Sequence, residues 1–212
     1  MRLTGSRTER TTAATDGLLS LAAAGGIFLL QSLETPASWK IDLWSWTFAL
    51  IALAAALGAV YHGLVLAERP RALMWRILTV CLSLAISLFL VGVLHDVYGV
   101  EAAGQILPIL LAAGLLIYAV SRVFPGLFIV FILYQVLALA TALGAYAWMA
   151  AWGTLEGAGW IAAGVAVSII AAGIQAARNL HVTLVWEFDH NGIFHLIQTL
   201  GVILICVGLS RG

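Results

Sequence analysis

Thirteen residues, Trp186-Glu187-Phe188-Asp189-His190-Asn191-Gly192-Ile193-Phe194-His195-Leu196-Ile197-Gln198, carry two acids, two histidines, an asparagine and a glutamine. They form the mouth of a segment that then runs apolar to Leu209. Only 9% of the chain is charged, and a polar cluster beside hydrocarbon is costly unless it binds something. On a helix, Asn191, His195 and Gln198 fall at i, i+4 and i+7 and share one face. Imidazoles and carboxylates gathered in this way can ligate a divalent ion or exchange protons with a substrate.

The elements that must position this face are membrane helices. The 212 residues are 63% hydrophobic with zero formal net charge, and mean hydropathy is +1.06. Soluble domains sit near half apolar and a quarter charged, so composition predicts an integral membrane protein. Without net positive charge or a polybasic run, nucleic acid is not an expected partner. Cys81 and Cys206 lie inside apolar runs and are expected to behave as small hydrophobes. The first fifteen residues are polar. The apolar run from Gly17 to Leu33 lacks a clear signal-peptidase site and is long enough for a retained span.

At about 20 apolar residues per crossing, the chain divides into seven spans near 15–33, 42–66, 73–95, 105–121, 125–150, 158–178 and 191–209. The expected fold is an all-α bundle of seven transmembrane helices in one domain, residues 1–212. Turns are expected at Glu34-Thr35-Pro36, Glu68-Arg69-Pro70, Arg122 to Pro125 and Gly153 to Gly159. One side then collects Arg2, Arg7, Arg10, Arg69, Arg71, Arg76, Arg122 and Arg178, and the other only Lys40 and Arg211. That bias predicts a cytoplasmic N-terminus and an external C-terminus. Trp39, Trp44, Trp46, Trp148, Trp152 and Trp160 at outer ends, with Trp75 and Trp186 at inner ends, are expected in the aromatic belts.

This topology brings distant residues to the inner side. Asp16 opens span one, and His62 lies roughly 6 Å inside span two at 1.5 Å per residue. Arg76 and Thr79 start span three, Gln175, Arg178 and Asn179 end span six, and His190, Asn191 and His195 open span seven. Asp16 and Ser20 are one turn apart, Thr79, Ser83 and Ser87 form a stripe, and Gly58 leaves space one turn before His62. Such faces avoid lipid and are expected to line one cavity open to the cytoplasmic side. Singly, each residue has a plainer role: Asp16 as an N-cap, His62 bonded to a carbonyl, the Ser/Thr stripe joining helices. His95, Asp96 and Tyr98 form a second polar group at the outer end, read mostly as interfacial. Jointly, His62, His195 and either His190 or Asp16 supply three ligands for a divalent ion, the pattern of catalytic zinc, which acidifies its bound water. Residues five apart on a helix diverge by about 140°. His190 therefore joins His195 only if the helix begins at or after Asn191.

A histidine late in span two, in Ala59-Val60-Tyr61-His62-Gly63, and His195 in His190-Asn191-Gly192-Ile193-Phe194-His195-Leu196 resemble the CREST superfamily of membrane hydrolases. That group includes the alkaline ceramidases and, more distantly, the progestin/adiponectin receptors. The resemblance implies a seven-helix bundle with zinc held by one span-two and two span-seven histidines. This chain departs in three places. Asn191 stands four before His195, Gly58 replaces a serine, and no acid occurs from Arg71 to Ser87, where the family has an aspartate. Asp16 is available for that carboxylate's part.

The function expected is a zinc-dependent intramembrane hydrolase of a lipid amide or ester. His62, His195 and His190 would hold the metal, with Asp16 as base or further ligand. Ser20, Asn191, Thr79 or Gln198 would orient ligands or stabilise an oxyanion. Its partners would be membrane lipids and a lipid-like substrate. The alternatives are a metal-containing lipid or small-molecule binding or sensing protein without catalysis, and a transporter or haem protein.

Overall fold

Ser6-Arg7-Thr8-Glu9 has the S-x-x-E pattern of a capping box, and the first long helix starts there. The computed structural model describes residues 2–33, 38–177, 179–183 and 185–212. The turn expected at Glu34-Thr35-Pro36 and the position of Arg178 lie outside the described residues. The Ser6 hydroxyl accepts the Glu9 amide at 3.4 Å and caps α1, Arg7–Gln31. Then follow α2 (Ser38–Gly63), α3 (Glu68–Tyr98), α4 (Val100–Val123), α5 (Phe128–Trp152), α6 (Ala158–Ala176) and α7 (His190–Leu209). Seven of the described helices are long and apolar enough to cross a membrane, and the protein is an all-α bundle of seven membrane-spanning helices. A 3-10 turn at Pro125–Leu127 makes the short passage from α4 to α5.

Side-chain pairs set the order of packing. Ser20 to Ala52 and Gln31 to Ser45 run α1 antiparallel to α2. Ser83 donates to the Gly114 carbonyl at 2.8 Å and ties α3 to α4, and Ser87 meets the Tyr134 hydroxyl of α5 at 2.9 Å. The expected polar stripe on α3 therefore joins helices. In hydrocarbon such a bond satisfies groups that lipid cannot. Helices α6 and α7 approach through small residues: a methyl group on Gly164 would lie 2.7 Å from the Gly201 carbonyl oxygen.

At the end holding the N-terminus, two short antiparallel ribbons replace open loops. β1 (Arg2–Leu3) pairs with β2 (Leu64–Val65), and β3 (His181–Thr183) pairs with β4 (Glu187–Asp189). The β3–β4 hairpin leads directly into α7.

The opposite end differs from the sequence expectation. His95 and Asp96 are not interfacial: the Asp96 side chain is 2% exposed and Lys40 only 10%. Asp96 Oδ1 meets Lys40 Nζ at 3.0 Å and His95 Nδ1 at 3.1 Å, while the Tyr146 hydroxyl donates to Oδ2 at 2.9 Å. His95 stacks on Trp39. Trp44 is likewise core rather than belt, 1% exposed and seated against Gly92. An isolated buried charge is costly, so these groups are buried against one another. Asp96→Ala would strand the Lys40 ammonium and is expected to cost about 3 kcal/mol. Tyr146→Phe should cost about 1 kcal/mol. Equilibrium unfolding in detergent checks both, and an unchanged Asp96→Ala protein would contradict the network.

Candidate functional site at the junction of α1, α2 and α7

Because α1 begins at Arg7, Asp16 does not open the span. It lies nine residues in, about 14 Å along the axis at 1.5 Å per residue, and the N-cap is Ser6. The polar turns Arg7 to Thr15 stay helical because the hairpin and α2 supply partners for them. Thr11 donates to the Glu187 carbonyl at 2.6 Å, and Arg7 pairs with the Glu187 carboxylate at 3.1 Å.

Glu9, Thr12 and Asp16 follow at i, i+3 and i+7, so one face of α1 carries all three. Glu9 Oε2 lies 2.7 Å from His62 Nδ1 near the end of α2. Thr12 donates to Asp189 Oδ1 at 3.0 Å, and that same oxygen caps α7 by accepting the Gly192 amide at 2.9 Å. Asp16 Oδ1 lies 3.2 Å from His195 Nε2. Three acidic groups thus join α1 to α2 and α7. Side-chain exposure falls from 38% at Glu9 through 19% at His62 and 11% at His195 to 5% at Asp16, so the face runs from the surface inward.

Gly58 explains how a carboxylate fits there. A methyl group built on Gly58 would lie 2.7 and 2.8 Å from the two Asp16 oxygens. Asp16 occupies the space that a side chain at position 58 would need. Among the described residues, Asp16 Oδ2 and His195 Nδ1 are buried in this junction with no hydrogen-bond partner.

The other expected site residues are placed differently. Ser20 donates to the Ala52 carbonyl at 2.9 Å, and Thr79 donates to Trp75 of its own helix. Gln198 donates to Ser168 at 3.1 Å. Ser20 and Gln198 join helices, and Thr79 bonds back to its own helix. Asn191 is half-buried at the second position of α7. His190 is the first helical residue of α7. That is the arrangement in which it diverges from His195 by about 140°, and Asp16 is the group paired with His195. Glu9, Thr12 and Asp189 were not expected site residues. The S-x-x-E cap and the i, i+3, i+7 spacing are the signals that mark the face.

A family model matches residues 11–212, which includes Thr12, Asp16, Gly58, His62, Asp189 and His195. The chain belongs to this family of unknown function, DUF6962. No curated protein and no solved structure matches it.

Zinc, which the superfamily resemblance implies, takes three protein ligands and a water at a catalytic site. Two imidazoles and a carboxylate are suitable donor types. Among the described residues, however, no three His, Cys, Asp or Glu side chains stand together so as to hold a metal ion. Each of His62 and His195 instead meets one carboxylate. The junction as it stands is a set of pairs and does not fit a three-ligand ion.

Gly58→Ala tests the close approach. The added methyl must displace the carboxylate from His195 or part the helices, with an expected loss of about 1–3 kcal/mol. In an Asp16→Ala background the same change should cost far less. Thermal unfolding of the four proteins checks this, and equal cost in both backgrounds would contradict it.

Proposed function

We propose that the protein is a membrane-embedded hydrolase of a lipid ester or amide, with Asp16 and His195 as its acid–base dyad. One observation carries the proposal: Asp16 pairs with His195 Nε2 deep in α1, while His195 Nδ1 and Asp16 Oδ2 are buried and unpartnered. No capping role accounts for that carboxylate, and ionisable groups inside membrane helices mark functional sites.

In the proposed mechanism, Asp16 accepts the Nε2–H bond and so leaves a lone pair on Nδ1. His195 Nδ1 removes a proton from a water as its oxygen adds to the acyl carbon. The imidazolium so formed is balanced by the Asp16 carboxylate and returns the proton to the leaving alkoxide or amine. No step passes through a metal. The excess of basic residues on the N-terminal side supports a cytoplasmic N-terminus, and the site would then draw substrate from the cytoplasmic leaflet.

A panel of fluorogenic lipid esters and amides in nanodiscs tests the proposal. Asp16→Asn and His195→Gln are each expected to lower kcat by about 10²-fold or more while the protein stays folded. Turnover that survives both changes would sink the dyad. The dyad also predicts turnover in the presence of a chelator. Loss on chelation, with recovery on added zinc, would put zinc in the site with His62, His195 and Asp16 as donors. Absence of turnover across the panel would favour a non-catalytic lipid-binding role.

A further inference from the structure

We propose that Glu9 is a positioning residue that holds His62 in the tautomer protonated at Nδ1, leaving the lone pair on Nε2. An ionised carboxylate only accepts hydrogen bonds, so the ring nitrogen 2.7 Å from Glu9 Oε2 is the one that carries hydrogen. The contact is shorter than that between Asp16 and His195, at 3.2 Å.

The local sequence makes this contact informative. In a capping box the glutamate carboxylate reaches back to the N-cap amide. Here the Ser6 hydroxyl does its half by accepting the Glu9 amide, but the Glu9 carboxylate crosses to α2. A local bond is exchanged for one to a residue 53 positions away. Tyr61 meets the His62 ring edge-on at 5.2 Å, and the Arg71 guanidinium lies 4.5 Å over Tyr61. The imidazole is therefore oriented by its own surroundings and not by the dyad.

The lone pair left on His62 Nε2 suits an O–H or N–H donor, a water or the hydroxyl or amine of a lipid headgroup. That consequence rests on the dyad proposal, but the tautomer does not.

The test is ring-nitrogen NMR of protein labelled with ¹⁵N-histidine in nanodiscs at neutral pH, with His62 assigned by its loss in His62→Gln. The wild type should show His62 protonated at Nδ1. Glu9→Gln keeps an acceptor oxygen and should keep that tautomer. Glu9→Ala should shift His62 toward the Nε2-protonated form that free imidazole side chains favour, with His195 unchanged in all three. In the turnover assay, Glu9→Ala should lower kcat and Glu9→Gln should restore most of it. His62 protonated at Nε2 in the wild type, or a tautomer indifferent to Glu9→Ala, would overturn the proposal. An inactive wild type with the expected tautomers would instead count against the dyad alone.

Discussion

A carboxylate buried among membrane helices must find a partner, because little water is there to solvate it. Asp16 meets that constraint through His195, and much of the N-terminal half of the bundle follows. The pair fixes the axial position of α1 against α7. It requires α1 to begin well before the apolar run, so that Asp16 lies at the depth of His195. It requires an open space on α2, which Gly58 provides. Asp189 then serves twice, capping α7 and receiving Thr12, which holds the hairpin and α1 in the same register.

The two ends of the bundle treat buried charge differently. At the C-terminal end Asp96 has both oxygens occupied, by Lys40 and His95 on one and Tyr146 on the other. Such a satisfied network links α2, α3 and α5 and leaves nothing free to act. At the N-terminal end Asp16 keeps one oxygen free, and His195 keeps one nitrogen free. Unsatisfied buried groups cost stability. Asp16 and His195 keep theirs beside Gly58, where the carboxylate fills the space a side chain would need.

Span number and the bounds of α6 and α7 were legible from hydropathy and turn residues, because the membrane requires long apolar runs regardless of tertiary detail. That His62, His195 and Asp16 gather at the end holding the N-terminus was also legible. The start of α1 was not, since Arg7 to Thr15 are too polar to register as a span. The hairpin and α2 complete the hydrogen bonds of those turns, and the one local signal of a helix start is the S-x-x-E cap from Ser6 to Glu9. Glu9 was hidden for the same reason. Asp96 and Trp44 were misread because residues at helix ends usually face the interface, and only the packing of α2, α3 and α5 shows that these two face inward. His190 depended on one helix boundary, which periodicity does not resolve.

The most direct measurement of the central claim is a double-mutant cycle on Asp16→Asn and His195→Gln, read as unfolding free energy in bicelles. A dyad that sets the register of α1 against α7 predicts coupling of about 1 kcal/mol or more between the two sites. Effects that simply add, within about 0.5 kcal/mol, would mean that the two side chains do not depend on one another, and would contradict the account.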